Sequence, residues 1–441
     1  MVVASAVRGD ASAATSGLAK AAPVIDSGGT PQFVVVGIGA DGWPGLSQPA
    51  RDELCSAEVI FGARRQLDLL RPVPGKTVPD DTVRAETVPW ESPMSEHLAR
   101  VLDDPGHRQI HILASGDPMF HGIGTTVVNA VGAARTRIIP AVSSVSLACA
   151  RLGWDLTGVG IVSLVTDDES AVLAEASHGR RLLVLSRDQH SPGAVIGVLG
   201  AAGFGESTIT VLEQLGGPRE KVVSGVAGTW SHPPGDRLNI VAVDCVGPYR
   251  TRAPGRADAD YLHDGQITKS AHRALSICAL EPAGGQTLWD IGAGSGSISV
   301  EWLRAAGRGH AVAFERDPHR AERIRENARQ HGVASAITVL GGAPEALATA
   351  PRPDAVFIGG GLTETVLAAA FEALRPGGPL VVNAVTVESQ ALVLGWHRRH
   401  GGTTRRVMIE SVEPLGSMNT WRPALPIVQW ILHKHVDGGT Q

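Results

Sequence analysis

An aspartate followed by three alternating glycines is the feature of this chain with the clearest chemistry. In LWDIGAGSGSISVE, Asp290 ends an apolar run, and Gly292, Gly294 and Gly296 follow before a helical pattern begins. Glycines at such a turn permit tight backbone angles and let a ligand approach the main chain. Their spacing alone suits dinucleotide-binding and methyltransferase folds equally. Asp290 favours the second class, because its carboxylate would repel a pyrophosphate but can pair with the cationic amino group of S-adenosylmethionine.

A second acid ends the next apolar run, HAVAFE. Glu315 lies 25 positions after Asp290 (315 − 290), where a carboxylate can accept hydrogen bonds from both hydroxyls of a ribose. The stretch 341–344, Gly-Gly-Ala-Pro, ends the third run, where an adenine edge would lie. The pattern therefore predicts an S-adenosylmethionine site; the alternative is an ordinary turn with two surface acids.

Two glycine-containing turns occur near the start of the chain. VVVGIGADGWPGL, residues 34–46, suggests a dinucleotide site when considered alone, but no acid ends a second strand at the required spacing. In ASGDPMFHGIGTT, residues 114–126, a strand stops at a Gly-Asp-Pro turn. The chain then enters a helix whose first amides are free to bind an anion. Asp117 has a structural interpretation as the cap of this helix.

Apolar runs alternate with helical patterns along the whole chain, which predicts an α/β fold with parallel sheets and helices on both faces. The runs are QFVVVGIG, RQIHILASG, RRLLVLS, STITVLEQL, RLNIVAVDC, TLWDIGAG, HAVAFER, AITVLGG, DAVFIGG and PLVVNAV. Residues 246–265 lack this periodicity and are rich in Pro, Gly, Arg and Asp, as linkers are. We therefore predict a flexible extension at 1–31, domains at 32–247 and 263–436, and a linker at 248–262.

Composition restricts the function classes. The 441 residues are 43% hydrophobic with a formal net charge of −5, which argues against bulk binding of nucleic acid. No apolar run is long enough to span a bilayer, and the first thirty residues lack the features of a secretory signal. The cysteines, Cys55, Cys149, Cys245 and Cys278, lack metal-site spacing, so no metal is predicted and buried free thiols are expected. We expect a cytoplasmic protein without membrane or nucleic-acid partners.

The C-terminal half resembles the decarboxylating precorrin methyltransferases of cobalamin synthesis. The resemblance runs from YLHDGQITKSAHRALSICALEP through WDIGAGSGSISVEW, FERDPHR, GGAPEAL, PDAVFIGGG and LRPGGPLVVNAVTVES. It implies a Rossmann-like class I S-adenosylmethionine-dependent methyltransferase fold. The implied cofactor residues are Thr268, Gly292, Ala293, Gly294, Ser295, Gly296, Glu315 and Ala343. Relatives tend to have Gly-His-Met near the end, whereas Ser417 replaces the histidine here, so no catalytic imidazole is carried over.

The N-terminal half resembles the tetrapyrrole (corrin/porphyrin) methylase family. VVVGIGADGWPGL, ASGDPMFHGIGTT, IPAVSSVSLACARLGW and EQLGGPRE occur in the family's order between about Phe33 and Val246. The resemblance implies a two-lobed α/β fold that holds S-adenosylmethionine in a cleft between its lobes. The implied cofactor residues are Gly116, Asp117, Ser143, Ser144, Leu215 and Gly216. Residues 40–42, Ala-Asp-Gly, replace the family's usual Gly-Pro-Gly-Asp ending, which leaves the role of that loop open.

The pairing of these domains resembles the bifunctional precorrin C5,15-methyltransferase (decarboxylating) family. That family methylates two meso carbons of reduced precorrin-6 and removes carbon dioxide from the ring-C acetate, giving precorrin-8. The resemblance also implies a homo-oligomer. A substrate with several carboxylates calls for Arg or Lys partners, for which Lys269, Arg273 and Arg422 are candidates. His121 follows the Gly-Asp-Pro turn and is a fourth substrate candidate; no catalytic residue is predicted.

Several other polar residues have structural interpretations. His111 lies within a strand pattern and is predicted to be a core or edge residue, whereas His272 and Arg273 are open between structure and substrate. RDPHRAERIRENARQ predicts a solvated helix face with i,i+4 charge pairs.

Two alternative functions remain open. One is an RNA methyltransferase, although the run FIGGG, residues 357–361, replaces the Asn/Asp-Pro-Pro-aromatic motif of base-modifying enzymes. The other is a sensor that binds S-adenosylmethionine without catalysis.

Overall fold

The computed structural model describes residues 31–70, 83–106 and 109–435. They form two compact units: one contains the described residues up to Leu147 together with Leu215–Pro218, and the other contains 148–214 and everything described from Arg219 onward. All but the last residue of the predicted N-terminal extension lies outside the described residues. No helix in the described ranges has the length and apolar character needed to cross a membrane.

The first unit contains a five-stranded sheet in which every neighbouring pair is parallel, with the order β3-β2-β4-β1-β5. The strands are β1 (Phe33–Ile38), β2 (Val59–Gly62), β3 (Glu86–Pro89), β4 (Ile110–Ser115) and β5 (Thr136–Ile139). The helices are α1 (Gln48–Ser56), α2 (Arg64–Asp68), α3 (Met94–Asp103), α4 (Ile123–Val131) and α5 (Ser144–Leu152), the last of which extends beyond the unit. This sheet confirms the parallel arrangement expected for QFVVVGIG and RQIHILASG.

The second unit begins with a sheet of mixed direction, ordered β6-β7-β10-β8-β9. Its elements are β6 (Val159–Ser163), α6 (Val172–Glu175), β7 (Arg181–Leu185), α7 (Ser191–Ala201), β8 (Thr208–Glu213), β9 (Lys221–Val226) and β10 (Asn239–Asp244). β10 runs antiparallel to both of its neighbours, and β8 and β9 are also antiparallel. The expectation of a parallel sheet was therefore wrong here, because β10 returns between two earlier strands without a crossover helix of its own.

The remainder of the second unit has a seven-stranded sheet ordered β13-β12-β11-β14-β15-β19-β16. Its strands are β11 (Gln286–Ile291), β12 (Gly309–Phe314), β13 (Ile337–Leu340), β14 (Ala355–Ile358), β15 (Pro379–Ala384), β16 (Thr403–Val407) and β19 (Ile427–His433). The helices are α8 (Ser270–Ala279), α9 (Ser297–Ala306), α10 (Pro318–Gln330), α11 (Glu364–Ala373) and α12 (Val387–His400). A separate hairpin pairs β17 (Glu410–Leu415) with β18 (Met418–Pro423).

Apolar residues fill both faces of the seven-stranded sheet, as expected for strands covered on both sides. Trp289 and Trp430 lie in the cluster on one face, and Trp302 lies in the cluster on the other. β19 runs in the direction opposite to that of the other six strands of this sheet. The parallel strands therefore have their carboxyl ends at one edge, where the predicted cofactor residues are found.

Helix α10 has the predicted location but a different set of charge pairs. Asp317 caps it by accepting hydrogen bonds from two backbone amides, and Pro318 occupies its first turn. The exposed pairs Arg325–Glu322 and Arg329–Glu326 are spaced i,i+3 rather than i,i+4. The expectation for the thiols was also only partly correct, because Cys149 and Cys245 are buried but Cys278 is exposed.

The predicted linker is attached to its surroundings by several hydrogen bonds. The backbone amide of Arg250 donates to Ser177 Oγ at 2.9 Å, and Arg252 forms an ion pair with Glu175. Residues Gly255 to Tyr261 of the same segment bond to helix α9. The segment therefore links the mixed sheet to the seven-stranded sheet through fixed contacts.

Arg304 fastens this arrangement from the end of helix α9. Its guanidinium, which is 5% exposed, donates to the carbonyl oxygens of His331, Thr251 and Leu173 at 3.1, 3.2 and 3.4 Å. Burial, followed by the charges of neighbouring arginines, lowers the pKa of Arg304 to about 10. The group therefore remains protonated at pH 7, and it donates to three carbonyls from three separate segments.

Gly332, which follows helix α10, lies very close to the backbone of helix α6. It has a φ of +74°, and a Cβ at this position would lie 2.3 Å from the backbone nitrogen of Ala174 and 2.9 Å from the carbonyl carbon of Leu173. Only glycine fits such a backbone contact.

We predict that Gly332→Ala destabilises the chain by about 2–5 kcal/mol, because left-handed strain of about 1–2 kcal/mol adds to an overlap worth about 1–3 kcal/mol. Gly285→Ala is the matched control. Gly285 has a φ of +85°, but a Cβ there would have no atom of the described residues within 4 Å apart from its chain neighbours. Urea unfolding of the full chain measures both variants. Equal losses of unfolding free energy would contradict close packing at Gly332.

Two candidate cofactor sites

The glycine turn between β11 and α9 is held by backbone contacts. Gly292, Gly294 and Gly296 all have positive φ, of 70°, 59° and 73°. The amides of Gly292 and Ala293 donate to the carbonyl of Phe314 at 3.0 and 3.2 Å. The turn is thereby fixed against the end of β12, and its backbone can face a ligand without intervening side chains.

Two of these glycines lie against neighbours that would not tolerate a side chain. A Cβ on Gly292 would be 2.5 Å from the carbonyl oxygen of Gly360, which follows β14. A Cβ on Gly296 would be 2.8 Å from Ile324 of helix α10. The residues between them, Ala293 and Ser295, complete the turn. Both glycines are therefore required by a specific close approach as well as by their φ.

Glu315 joins the glycine turn to the end of β12. Its Oε2 accepts from the backbone amide of Gly294 at 2.9 Å, and its Oε1 accepts from the amide of Asp317 at 3.0 Å. The side chain is 8% exposed. A carboxylate oxygen has two lone pairs, so each oxygen can accept one further hydrogen bond. Glu315 can therefore hold two adjacent hydroxyl groups, as a ribose presents them.

Asp290 is fully enclosed and only half satisfied. Its Oδ2 accepts from the amide and the hydroxyl of Ser299 at 3.1 and 2.7 Å. Its Oδ1 is buried and has no hydrogen-bond partner among the described residues. Burial raises the pKa of Asp290 to about 6, and the nearby charge of Glu315 adds to this while the Ser299 hydrogen bonds oppose it. A cationic partner at Oδ1 would offset the cost of burying this charge.

The segment before helix α8 lies over the glycine turn. The carbonyl oxygen of Gln266 would be 3.8 Å from a Cβ on Gly294, and Thr268 is half-buried two residues later. Arg320 of helix α10 donates to Gln266 Oε1 at 3.0 Å and to Asp264 at 2.9 Å. Thr268 is therefore carried by a segment that is anchored beside the turn.

Asn327 was not predicted as a functional residue, yet it connects these parts. It is fully buried, and its amide nitrogen donates to the carbonyls of Ser295 at 2.8 Å and Leu262 at 3.0 Å. Its Oδ1 accepts from the amide of Leu262 at 2.8 Å. The only sequence signal was a polar residue at the i+3 position from buried Ile324 on a helix otherwise interpreted as solvated.

Ala343 lies in the loop that follows β13. It is half-buried and packs against the apolar cluster that contains Trp289 and Phe314. Gly341, in the same loop, is exposed. An apolar side chain beside an open glycine can contact the flat face or edge of an aromatic base.

These features fit the donor predicted for this turn. The unpartnered Oδ1 of Asp290 suits an ammonium group, the carboxylate of Glu315 suits vicinal hydroxyls, and the contact of Gly292 with Gly360 keeps the approach free of side chains.

The predicted carboxylate partners lie in different environments. Lys269 and Arg422 have side chains that are 54% and 57% exposed, and each lies near an acid, Asp258 at 3.5 Å and Glu413 at 3.4 Å. Arg273 is fully buried, and its guanidinium donates to protein groups. The expectation that Arg273 binds a substrate carboxylate is therefore corrected. His272 is 4% exposed, and burial lowers its pKa.

The candidate residues of the N-terminal half come together in the first unit. A Cβ on Gly37, in β1, would lie 2.3 Å from the carbonyl oxygen of Gly116 and 2.6 Å from the amide of Ala141. A Cβ on Gly116 would lie 3.8 Å from the amide nitrogen of Ser144. The end of β1 and the loops that follow β4 and β5 therefore meet with their backbones in contact.

The segment Leu215–Pro218 joins these loops. A Cβ on Gly217 would be 2.8 Å from the carbonyl of Ala40, and that of Gly216 would be 3.5 Å from Leu147 of helix α5. Leu215 itself is buried. The predicted residues from three distant parts of the sequence are thus neighbours at one sheet edge.

Several polar residues at this edge have structural partners. Asp117 Oδ1 accepts from the amide of Met119 at 2.9 Å, which stabilises the Gly-Asp-Pro turn. Ser143 Oγ accepts from the amide of Ser146 at 3.2 Å at the start of α5, so it acts as a helix cap. His121 is exposed, with a φ of 50°.

His111 is a core residue, as predicted. It is 1% exposed and lies 3.2 Å from Glu53, and burial lowers its pKa.

Two protein families match separate parts of the chain. Residues 259–434 match the family described as a precorrin methyltransferase domain, and residues 32–230 match the family of tetrapyrrole (corrin/porphyrin) methylases. A relative from Mycobacterium tuberculosis, named precorrin-6Y C(5,15)-methyltransferase (decarboxylating), is 44% identical over 407 residues, which are 91% of this chain and 100% of the relative. A relative of the same name from a Sinorhizobium species is 40% identical over 410 residues, covering 91% and 96%.

A shorter relative matches only part of the chain. It comes from Salmonella typhimurium and is named cobalt-precorrin-6B C(15)-methyltransferase (decarboxylating). It is 33% identical over 167 residues, which are 36% of this chain and 85% of the relative.

We predict that Asp290→Asn changes the pH dependence of stability. Because the folded pKa of about 6 exceeds the unfolded value of 3.8, the wild type loses stability as pH rises between them. The loss is up to about 3 kcal/mol, and the variant should not show it. Chemical unfolding from pH 4 to 7 measures the free energy of unfolding of both proteins. As the pH rises, the variant should become more stable relative to the wild type.

Asp317→Asn is the control of opposite sign. Backbone hydrogen bonds from Arg320 and His319 lower the pKa of Asp317, so the wild type is favoured above about pH 4 and the advantage fades below it. Parallel curves for Asp290→Asn and the wild type across pH 4–7 would show that Asp290 is not a strained buried carboxylate.

Proposed function

The chain belongs to the family of decarboxylating precorrin-6Y C(5,15)-methyltransferases, and we propose that it performs this family's reaction in cobalamin biosynthesis. In that reaction reduced precorrin-6 receives methyl groups at C5 and C15 and loses carbon dioxide from its ring-C acetate, giving precorrin-8. The observation that supports the proposal is the presence of two differently built glycine turns in one chain, each at the carboxyl ends of parallel strands. One is formed by Gly292–Gly296 with Glu315, and the other by the loops around Gly37 and Gly116.

We assign the two methyl transfers to the two domains predicted from the sequence, 32–247 and 263–436. The relative named for C(15) methylation and decarboxylation alone covers 36% of this chain, which is close to the share of one domain. The precorrin methyltransferase family matches residues 259–434. These matches support C15 methylation and decarboxylation in the C-terminal domain, and by difference C5 methylation in the N-terminal domain.

In the C-terminal domain, Asp290, Glu315 and the glycine turn would hold S-adenosylmethionine. Asp290 Oδ1 would accept from the ammonium group, Glu315 would accept from the ribose hydroxyls, and Ala343 would contact the adenine. The bound donor supplies a methyl group on a positively charged sulfur. The protein contributes orientation of the two reactants, which is worth roughly 7–11 kcal/mol in favourable cases.

In the N-terminal domain, the corresponding residues would be Gly116, Asp117, Ser143, Ser144, Leu215 and Gly216. Gly116 supports this assignment because it has a φ of +62° and its carbonyl oxygen would lie 2.3 Å from a Cβ on Gly37, so the Gly-Asp-Pro loop meets the end of β1 without a side chain between them. Helix α5 begins at Ser144, so its first amides are available to polar groups of the ligand.

Decarboxylation breaks the bond between the acetate methylene and its carboxylate and releases carbon dioxide. The electron pair passes into the conjugated ring, which carries a proton on a ring nitrogen or meso carbon, and transfer of that proton to the methylene carbon leaves a methyl group. The carboxylates that remain on the substrate need cationic partners. Lys269 and Arg422 are the exposed candidates in the C-terminal domain, and His121 is the exposed candidate in the N-terminal domain. Arg273 is not among them, because its donors are occupied inside the protein.

We predict that Glu315→Ala abolishes one methyl transfer and the decarboxylation together at limiting donor concentration. Loss of a charged hydrogen-bond acceptor costs about 1.5–3 kcal/mol, which weakens donor binding roughly 10- to 100-fold. The full-length variant is incubated with reduced precorrin-6 and isotopically labelled S-adenosylmethionine, and the products are weighed by mass spectrometry. The expected product carries one labelled methyl group and retains the carboxylate of its ring-C acetate.

Two further variants serve as comparisons for this result. Gly37→Ala should reduce the other methyl transfer, since its Cβ would displace the Gly116 turn. Glu322→Ala, at an exposed site on helix α10, should leave both transfers intact. A chain that binds the donor but leaves the precorrin unmodified would instead be a sensor. Full double methylation with carbon dioxide loss by Glu315→Ala would refute the site assignment.

A further inference from the structure

A fully buried ion pair joins helices α8 and α9 beside the C-terminal ligand turn. Arg273 Nε donates to Glu301 Oε1 at 2.7 Å, and the two side chains are 0% and 2% exposed. Within the described residues, the side-chain hydrogen bonds of Arg273 and Glu301 go to groups outside the glycine turn. Their other hydrogen bonds explain what the pair holds.

Glu301 accepts four hydrogen bonds in total. Besides that of Arg273, they come from the amide of Gly255 at 2.6 Å, the amide of Arg256 at 3.2 Å and the hydroxyl of Tyr261 at 3.0 Å. All three donors belong to the segment between the two predicted domains. A single carboxylate therefore anchors this segment to helix α9.

Arg273 uses its remaining donors on the same segment and on the loop that follows it. Its guanidinium donates to the carbonyl of Thr268 at 2.5 Å, to the carbonyl of Arg256 at 2.6 Å and to Asp258 at 3.3 Å. The ring of Tyr261 lies 4.8 Å from its guanidinium carbon. The planar guanidinium thus spans from the connecting segment to the residue predicted to contact the donor.

Helix α9 connects the ion pair to the glycine turn, because Glu301 lies on this helix and the turn directly precedes it. The helix begins at Ser297, directly after Gly296, so Glu301 lies about one turn from the glycines. The ion pair therefore fixes the position of Thr268 relative to the glycine turn. A buried ion pair contributes little net stability compared with apolar residues of the same volume, so a geometric role is the better explanation for its presence.

We propose that Arg273 and Glu301 are positioning residues of the C-terminal methyl transfer, and that by fixing the Thr268 loop on helix α9 they set the affinity of that site for the methyl donor. The inference rests on the proposed function, because it takes S-adenosylmethionine as the ligand of this turn. It gives the segment 248–262 a second role besides connecting the domains, which is to complete one wall of the donor site.

Calorimetric titration of the full chain with S-adenosylmethionine tests the proposal, because the N-terminal site serves as an internal reference. Glu301→Gln keeps the shape but removes the charge, and Arg273→Lys keeps the charge but loses the planar fork. Each should weaken one of two binding events at least 10-fold and leave the other unchanged. Tyr261→Phe, which removes one hydrogen bond and no charge, should give a smaller effect of about 3-fold.

Steady-state rates separate positioning from general destabilisation. For C15 methylation, the KM for the donor should rise in Glu301→Gln while kcat at saturating donor stays within about 2-fold of the wild type. Glu322→Gln, which breaks an exposed ion pair on helix α10, should change neither quantity.

Three outcomes would overturn the proposal. A lower melting temperature with unchanged donor affinity at both sites, in Tyr261→Phe as well as the charge variants, would make the pair purely structural. Uptake of a single donor equivalent by the wild type would refute the proposed two-site function and this inference with it. If the wild type binds two equivalents and the variants bind both with wild-type affinity, the inference fails but the proposed function stands.

Discussion

Contact between main chains at the carboxyl edge of the seven-stranded sheet constrains the glycine turn between β11 and α9 and the residues around it. A methyl group on Gly292 would lie 2.5 Å from the carbonyl of Gly360, so the loops after β11 and β14 touch without side chains between them. Glu315 then joins the turn to β12 by accepting a hydrogen bond from the amide of Gly294. The edge is left with backbone amides and carboxylate lone pairs, the groups that bind a small polar ligand.

The buried charged side chains near this edge differ in how completely they are hydrogen-bonded. Glu301 and Arg273 satisfy each other and several backbone groups, so their charges are fully compensated inside the protein. Asp290 is compensated on one oxygen only, and burial raises its pKa to about 6. An uncompensated buried acceptor is costly, whereas a compensated one serves to position its partners. Asp290 thus retains a buried oxygen without a partner among the described residues, whereas Glu301 and Arg273 bond to the segments around them.

The segment that connects the two predicted domains has structural content of its own. On one side it bonds to Ser177 and Glu175, and on the other to helix α9. Arg304 bonds to carbonyls from three segments at once, and Gly332 allows backbones to meet. These contacts connect helices α9 and α10 of the seven-stranded sheet to residues that precede them in the chain.

The sequence by itself determined the features that depend on local patterns. Apolar runs predicted the strands, including β1, β4 and β11 to β15, and glycine spacing predicted the tight turn between β11 and α9. These succeed because strand formation and tight turns depend on residues close together in the chain. Only the tertiary structure decided the antiparallel return of β10, the partners of Arg273 and the role of Asn327. Those features depend on which segments meet in space, and a buried arginine has the same local sequence pattern as one that faces a substrate.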